Sequence, residues 1–397
     1  MARFVVINAR VVRGDRVLEH GAVEVLGSRI RKVGSARAVG KGKGKRVIDA
    51  GGKILAPGFI DLHIHGMSDY LVDDGPGSLA ALCALLPHYG VTGFLPTLSP
   101  RPYDAHVALI RELSSLSAPG GAAILGLHLE GPYLTLAGAL SGGGASPVRA
   151  EVETLVAAAR PHRAVFSVSP ELPGLLDVID VMRADGAPVF MTHTAAGVAE
   201  TRAAIEAGVR HATHFYDVFP CPVERDRGVR PCGAVEAVLA DSRVSVDFIL
   251  DGVHVEPAAV LAALAAKGPD GVCLITDAMA GAGLPPGRYT FGGQEIVFER
   301  EGGPARLGEK SPRAGGLAGS GLTMNRAVRN AVEMLEVDLS TAVRLASSSP
   351  ARVLGLGGCK GRIDEGFDAD MVLLDDDLTV LNTWVGGECV YAADEET

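Results

Sequence analysis

The feature that most constrains the fold is a series of eight apolar, strand-like runs between residues 58 and 279, separated by helix-like patterns. The first run is GFIDLHIHG and the last is VCLITDAM. Eight alternating strand and helix units are the number that closes a (β/α)8 barrel. Three of the helical patterns end in a glycine, at Gly90, Gly208 and Gly268, as helices often do. We therefore predict a TIM barrel over residues 58–345.

Both ends of the chain carry short β-type runs outside this barrel pattern. Residues 1–57 contain runs such as FVVINARVV, and β-type runs return after residue 360 as DADMVLLD and TWVGGECVY. We predict that residues 1–57 and 346–397 together build one small β-sandwich domain. The segment from 280 to 321 is rich in glycine and proline and contains GRYTFGGQEIVF, which predicts a hairpin inserted after the eighth barrel strand.

Composition narrows the range of partners. The chain has 397 residues and a formal net charge of −10, and its one basic cluster, KGKGKR at 41–46, has the glycine spacing of a solvated turn. The absence of a basic helix argues against nucleic-acid and anionic-membrane partners. No run approaches the roughly 18 to 20 apolar residues that span a bilayer. The six cysteines lack CxxC spacing, which is typical of a reduced, cytoplasmic protein.

Polar side chains that can bind metals stand at or just after most of the predicted barrel strands. In a (β/α)8 barrel the active site lies at the carboxyl ends of the strands. A single histidine in an apolar strand is more often a core residue with its hydrogen bonds satisfied. Side chains that can bind metals at this many strand ends indicate a metal centre instead. The residues are His63, His65, Glu130, His193, His214, His254 and Asp277.

The spacing of His63 and His65 directs both rings into the barrel mouth, because strand residues two apart face the same way. Imidazoles and carboxylates without sulfur suit one or two divalent ions, with zinc favoured over iron, manganese or cobalt. A carboxylate-rich site at a solvent-facing rim favours catalysis, in which a metal acidifies its bound water. Asp277 is then the predicted general base.

Two further histidines lie close to these residues in the sequence. His128 stands two residues before Glu130, and both a supporting position beneath the ligands and a plain core position are open for it. His211 stands three residues before His214 and is predicted to point away in a structural role.

The order of the motifs resembles the amidohydrolase superfamily and, within it, the N-acetylglucosamine-6-phosphate deacetylase family. The resemblance covers nearly the whole chain, and it implies a metal-dependent enzyme that hydrolyses the N-acetyl amide of an amino sugar to acetate and a free amine. The motifs are PGFIDLHIHG, HLEGPYL, THT, ATHFYD, DGVHV, ITDAM, GLAGSGLTM and GRIDEGFDADMVLLD.

The resemblance also implies roles for the metal ligands. Glu130, His193 and His214 would hold the main metal. Some members of the family lack the first-strand histidine pair and work with one metal, whereas this chain keeps His63 and His65. A second metal near this pair, bridged by Glu130, is therefore expected.

On the substrate side, the resemblance implies that Asp277 adjoins the second metal and that His254 contacts the sugar. Gly316, Leu317 and Ala318 would line the pocket. Arg227 falls where the family places a phosphate-binding arginine that the neighbouring subunit often supplies, which implies a homodimer. The alternative for this arginine is a plain surface-loop position.

This chain departs from the family at positions expected to contact substrate. Ala145 stands about where the family has a histidine, and Asp217 and Val218 replace an Asn-Ala pair. A carboxylate near a phosphate is repulsive unless a cation compensates. Two substrates therefore stay open: the 6-phosphate of an N-acetyl hexosamine held by Arg227, or a different small N-acyl amine, unphosphorylated or positively charged.

Two other readings of the chain are disfavoured. A non-catalytic relative would be expected to have lost a metal ligand or Asp277, and none is lost. Cyclic-amide and urea hydrolases of the superfamily usually carry a carboxylated lysine at the end of strand four. The fourth run here ends SVSPE, without a lysine.

Overall fold

The computed structural model describes residues 3–40, 46–116, 120–140, 142, 144–224 and 226–393. All of the basic cluster except Arg46 lies outside the described residues. The strands, in chain order, are β1 (Arg3–Arg13), β2 (Arg16–Leu26), β3 (Arg29–Ser35), β4 (Arg46–Asp49), β5 (Ile54–Pro57), β6 (Phe59–Ile64), β7 (Gly66–Met67), β8 (Tyr70–Leu71), β9 (Val91–Leu98), β10 (Ala123–Ile124), β11 (Leu127–Glu130), β12 (Ala164–Val168), β13 (Val189–Met191), β14 (Val209–Ala212), β15 (Ser245–Ile249), β16 (Val272–Ile275), β17 (Gly287–Phe291), β18 (Gln294–Phe298), β19 (Pro304–Leu307), β20 (Leu317–Ser320), β21 (Met371–Leu374), β22 (Val380–Val385) and β23 (Glu388–Ala392).

The α-helices lie mainly between the barrel strands. They are α1 (Ala36–Val39), α2 (Pro76–Leu85), α3 (Tyr103–Ser114), α4 (Arg149–Ala158), α5 (Ile179–Met182), α6 (Val198–Ala207), α7 (Ala234–Leu239), α8 (Pro257–Lys267), α9 (Met324–Leu335), α10 (Leu339–Leu345) and α11 (Ser348–Val353). None of the helices in the described ranges is long and apolar enough to cross a membrane.

The predicted barrel is confirmed. Strands β6, β9, β11, β12, β13, β14, β15 and β16 pair in parallel in that order. The last strand returns to the first, where Asp277 N–H donates to the His63 carbonyl at 2.9 Å and His65 N–H donates to the Ala278 carbonyl at 3.0 Å. The strands are almost entirely buried, because helices cover their outer faces and side chains fill the interior.

The three predicted glycine positions follow helical segments. α6 ends before Gly208 and α8 before Gly268, while α2 continues into a short 3-10 helix that ends before Gly90. Gly90 has φ +79°, and a β-carbon there would come within 2.8 Å of the Phe59 ring. Glycine is therefore required here by both the backbone conformation and the close approach of β6.

The predicted β-domain built by both chain ends is also confirmed. Its strands form a hydrogen-bonded sheet in the order β23, β22, β21, β5, β1, β2, β3, with β4 paired to the first part of β1. β21 pairs antiparallel with β5, so that Met371 lies opposite Pro57. The proposed boundaries at 57/58 and 345/346 remain predictions. Directly after the second boundary, α11 places Ala351 in the barrel's hydrophobic core.

The segment inserted after the eighth barrel strand contains the predicted hairpin. β17 and β18 pair antiparallel, and β19 and β20 extend them to a four-stranded sheet. A separate cluster of buried side chains, including Phe291, Ile296 and Phe298, packs this sheet against Leu140 and Met279. The inserted sheet therefore lies at the carboxyl ends of the barrel strands.

A largely buried ion-pair network lies within the loop between α11 and β21. Lys360 Nζ lies 2.6 Å from Asp370 and 2.9 Å from Asp368, and its side chain is 18% exposed. Replacing Lys360 by Met should lower the free energy of unfolding by about 3 kcal/mol, because Asp370 would stay buried without its cation. Urea unfolding at pH 7 measures the change. Lys53→Met, which removes an exposed lysine 3.9 Å from Asp376, should cost less than about 1 kcal/mol. Equal costs for the two variants would contradict the prediction.

Candidate metal centre

Six of the seven side chains predicted as ligands gather at one end of the barrel. Each lies in the last residues of a barrel strand or within two residues of its end, and each is at least nine-tenths buried. The six are His63, His65, Glu130, His193, His214 and Asp277.

The Glu130 carboxylate lies at the centre of this group. Its Oε1 is 2.9 Å from His214 Nε2 and 3.2 Å from His193 Nε2. Its Oε2 is 3.0 Å from His65 Nε2 and 3.6 Å from His63 Nε2. Each oxygen therefore faces one pair of imidazoles, which is the arrangement that a bridging carboxylate between two metal positions requires.

Asp277 lies on the side of the first-strand histidines. Its Oδ1 is 3.4 Å from His63 Nε2 and 3.7 Å from His65 Nε2. The ligand atoms form two sets, and the atoms within each set lie within 4.8 Å of one another. One set is His63, Glu130 and His214, and the other is His63, His65 and Asp277.

The hydrogen bonds of the histidine rings favour metal binding through Nε2. His193 Nδ1–H donates to the Leu136 carbonyl at 2.7 Å, so that Nε2 is the ring nitrogen next to Glu130. His63 Nδ1 contacts Thr213 Oγ1 at 3.4 Å, on the side away from the carboxylates. A second ring nitrogen engaged in this way orients a ligating histidine. Nitrogen and oxygen donors so arranged fit a divalent ion.

The charges of the group perturb one another strongly. Burial alone would raise the pKa of Glu130, but the surrounding His63, His193, His214 and His65 hold it well below its ordinary value. Burial alone would lower the pKa of His214, but the hydrogen bond and charge of Glu130 raise it to about 10. A proton on His214 therefore occupies the place of a cation, and a divalent ion would displace it.

Beneath the ligands, the barrel interior is polar. His128 Nδ1–H donates to the Leu62 carbonyl at 3.1 Å, and Ser167 Oγ lies 2.6 Å from its Nε2. Burial holds the pKa of His128 well below its ordinary value, and its ring meets His63 edge to face. His128 is thus a deeper residue that contacts a candidate ligand and is outside the two ligand sets. His211 is fully buried, with its Nε2 2.7 Å from Asp247.

His254 lies apart from the six gathered side chains. It follows β15, and its Nδ1–H donates to Asp251 Oδ2 at 2.8 Å. Although burial opposes the effect, the hydrogen bond and charge of Asp251 raise the pKa of His254. Its Nε2 is buried and has no hydrogen-bond partner within the described part of the chain. The ring therefore has one nitrogen available for another contact.

A cavity of about 60 Å³ opens onto the gathered side chains. Of the predicted substrate-side residues, Asp217, Val218, Leu317 and Ala318 line this cavity, whereas Ala145, Arg227, Gly316 and His254 do not. The remaining lining residues are His65, Glu130, Gly138, Ala139, Leu140, His193, His214, Asp277, Met279, Phe291 and Gly319.

Phe291 is a lining residue that sequence reasoning missed. It ends β17 in the inserted sheet, and its ring meets the His65 ring edge to face at 5.3 Å between centroids. A phenylalanine in a Gly-rich hairpin has no sequence signal that connects it to a histidine more than two hundred residues earlier.

A larger hollow, of about 460 Å³, lies at the opposite, amino-terminal end of β13 to β16. It is lined by residues that precede those strands, including Pro188, Gly208 and Gly271, and by none of the six gathered side chains. Because barrel enzymes use the carboxyl ends of their strands, the smaller cavity is the candidate site.

Comparison with known proteins identifies the family. Residues 54–390 match the Amidohydrolase family. The chain belongs to the amidohydrolase family. As a member it is a metal-dependent hydrolase that acts on an amide bond.

Individual relatives cover nearly the whole chain. The N-acetylgalactosamine-6-phosphate deacetylase of Escherichia coli O157:H7 is 35% identical over 353 residues, which are 86% of this chain and 89% of the relative. The human N-acetylglucosamine-6-phosphate deacetylase is 33% identical over 409 residues, 98% of this chain and 95% of the relative. The crystal structure of the N-acetylglucosamine-6-phosphate deacetylase from Pasteurella multocida has a TM-score of 0.86 at 27% identity, covering 98% of this chain and 100% of that one.

Removal of metal should destabilise the protein, because an ion that binds only the folded state stabilises it by about 3 kcal/mol when free metal is about 100 times the Kd. Elemental analysis of the purified protein should give one to two divalent ions per chain. Glu130→Gln should lower this content below that of the unaltered protein, since Glu130 faces both histidine pairs, while the exposed Glu153→Gln should leave it unchanged. Full metal content in Glu130→Gln would contradict the assignment.

Proposed function

We propose that the protein removes the acetyl group of an N-acetyl hexosamine 6-phosphate, releasing acetate and the free amino sugar phosphate. The observation that carries the proposal is the position of Glu130 between two histidine pairs, with Asp277 beside one of them. This is the complete set of metal-side residues that the deacetylase resemblance implies. The names of the relatives, deacetylases of N-acetylglucosamine and N-acetylgalactosamine 6-phosphates, support the substrate class. The corresponding process is amino sugar metabolism.

The residues that would hold metal follow from the family resemblance and from the division of the two Glu130 oxygens between two histidine pairs. Glu130, His193 and His214 would bind one ion, and His63 and His65, with Glu130 as the bridge and Asp277 adjacent, would bind the second. Zinc suits these donors best, and iron, manganese and cobalt also accept them. When bound, such ions polarise the amide carbonyl and acidify the attacking water.

Asp277 is proposed as the group that moves the proton. Burial alone would raise its pKa, but the hydrogen bond and charge of His63 and the charge of His65 lower it, so that the carboxylate is ionised at neutral pH. An ionised Asp277 can accept a proton from the attacking water and return it to the amine nitrogen as the carbon–nitrogen bond breaks. The oxygen of the water ends in acetate, and the nitrogen leaves as the free amine.

His254 is proposed to orient the substrate. Asp251 accepts its Nδ1–H at 2.8 Å and holds the ring, while its buried Nε2 is the available nitrogen. The charges of Asp217 and Asp277 also act on this ring, which supports a position near the cavity. We propose that Nε2 contacts a hydroxyl or carbonyl oxygen of the sugar.

The phosphate would need a cation near the cavity. Arg227 is exposed and does not line the cavity, so it would reach the substrate of a neighbouring subunit in the proposed homodimer. Arg313, in the inserted segment, donates to the carbonyl of Leu140, a lining residue, at 3.4 Å. Among the described lysines and arginines, it alone has a side-chain hydrogen bond to a lining residue. Arg313 is therefore a second candidate for the phosphate contact.

A second function is favoured by one specific observation. Apart from the gathered metal-side residues, Asp217 is the one charged side chain among the described residues that line the cavity. A carboxylate there attracts a cationic substrate and repels a phosphate. The alternative function is thus the deacylation of another N-acyl amine without a phosphate.

A cytoplasmic location is likewise a proposal. It is supported by the six cysteines, which are all free thiols.

An acetate-release panel tests the proposal. It compares N-acetylglucosamine, its 6-phosphate, the N-acetylgalactosamine and N-acetylmannosamine analogues in both forms, and non-sugar N-acyl amines. We expect a 6-phosphate to give the highest kcat/KM, by at least about 100-fold over its unphosphorylated form, as two charge-assisted hydrogen bonds would provide. Equal values with and without phosphate would favour the alternative function, and no acetate from any sugar would refute the proposal.

Arginine variants in the same panel identify the phosphate contact. Arg313→Gln should raise KM for the 6-phosphate about tenfold and leave KM for the unphosphorylated sugar unchanged. Arg306→Gln, which removes a half-buried arginine from β19 of the same inserted sheet, is the matched control. An effect confined to Arg227→Gln would instead support the contact from a neighbouring subunit.

Asp277→Asn separates proton transfer from metal binding. The variant should keep metal bound by Glu130, His193 and His214 while kcat falls by about 10²- to 10⁴-fold, because an amide cannot accept the proton. Elemental analysis and acetate release measure the two effects. Asp241→Asn, on the loop before β15 at the other end of the barrel, should behave like the unaltered protein. An unchanged kcat in Asp277→Asn would remove this residue from the proton-transfer role.

A further inference from the structure

A buried carboxylate beneath the candidate metal centre has no role in the proposed chemistry. Asp247 is the third residue of β15, and it is completely buried in the barrel. Its Oδ2 accepts from His211 Nε2–H at 2.7 Å, and Thr213 Oγ1–H donates to its two oxygens at 3.0 and 3.1 Å. Its Oδ1 also accepts the backbone N–H of His214. Three donors from β14 and the residues after it thus converge on one carboxylate.

The first consequence concerns the backbone of His214. This residue has φ +35°, a left-handed conformation that costs a non-glycine residue roughly 1 to 3 kcal/mol and persists only where neighbours enforce it. The hydrogen bond from the His214 N–H to the Asp247 side chain holds this conformation. Phe215 N–H also donates to the Asp247 backbone carbonyl, at 2.9 Å. The neighbouring strand therefore holds the turn that presents the His214 ring to Glu130.

The second consequence concerns His63, on the other side of the centre. Thr213 has one hydroxyl proton, and Asp247 accepts it. The lone pairs of Thr213 Oγ1 are then free to accept from His63 Nδ1–H at 3.4 Å. This arrangement puts the His63 proton on Nδ1 and leaves Nε2 as the ligand atom that faces Glu130 and Asp277.

We propose that Asp247 is a positioning residue for both metal positions. It acts on the first through the backbone of His214 and on the second through Thr213 and His63. The proposal rests on the metal-binding part of the proposed function and is independent of the substrate. Asp247 would act as a carboxylate that reaches the ligands through hydrogen bonds. Such groups orient the ligating side chains in metal sites, and their loss typically lowers metal affinity about 10- to 100-fold.

A comparable carboxylate lies on β6, which is separated from β15 only by β16 where the barrel closes. Asp61 accepts the Thr276 hydroxyl at 2.6 Å and the His63 N–H at 3.3 Å, and burial raises its pKa to about 7. Asp61 therefore supports the His63 side alone. Asp247 differs because its donors lead to His214 at one proposed metal position and, through Thr213, to His63 at the other. Its loss should therefore weaken the binding of two ions rather than one.

The test measures zinc binding to the full-length, metal-stripped protein by competition with a chromogenic chelator, without substrate. Asp247→Asn should lower the affinity for both zinc ions at least tenfold, since an amide group cannot accept hydrogen bonds from three donors. Thr213→Val, which keeps the shape of the side chain but lacks the hydroxyl, should lower the affinity for only one of the two zinc ions. Ser245→Ala is the matched control, because Ser245 contacts the other nitrogen of His211 at 2.7 Å and reaches neither ligand. It should leave both zinc affinities within about threefold.

Urea unfolding of the metal-free variants separates positioning from stability. If Asp247→Asn does not fold, Thr213→Val decides, and a loss of one zinc affinity in a folded Thr213→Val protein supports the proposal. Unchanged affinities for both zinc ions in folded Asp247→Asn or Thr213→Val would overturn the proposal. An equal loss of zinc affinity in Ser245→Ala would also overturn it. Failure of the acetate-release panel would leave these zinc affinities unaffected, so the two proposals fail separately.

Discussion

The site depends on one buried carboxylate, that of Glu130, surrounded by four imidazoles. A charged group in a barrel interior is stable only where opposite charge or hydrogen-bond donors replace its lost hydration. The Nε2 atoms of the four histidines approach the two Glu130 oxygens at 2.9 to 3.6 Å. The same convergence that stabilises Glu130 presents its oxygens and the ring nitrogens to two positions where divalent ions fit. Stability and chemistry therefore have the same geometric origin.

The layer beneath the site is unusual for a barrel. The interior of a (β/α)8 barrel is commonly filled by branched apolar side chains. Here a polar layer takes part of that space, and its buried groups include Asp61, His128, His211 and Asp247. Their hydrogen bonds offset the cost of burial, and those of Asp247 and Asp61 hold the ligand-bearing turns at His214 and Asp277, which are left-handed with φ +35° and +45°.

The metal side of the site was predictable because two simple regularities act there. Strand residues two apart share a face, which aligned His63 with His65, and parallel barrel strands end at one rim, which gathered Glu130, His193 and Asp277. The substrate side lacks such regularities. Arg227 and His254 lie in loops, whose conformation depends on the packing of distant segments. Neither of them lines the cavity, whereas Phe291 of the inserted sheet does.

The sequence by itself determined the barrel, the β-domain of the chain ends, the family and the identity of the side chains at the strand ends. These follow from local periodicity and from motifs read along the chain. Only the tertiary structure decided that the Glu130 oxygens divide between two histidine pairs and that Asp247 accepts from Thr213 and His214. These contacts join neighbouring or opposite strands that are separated by dozens of residues. Their geometry depends on how the barrel closes, which no local pattern encodes.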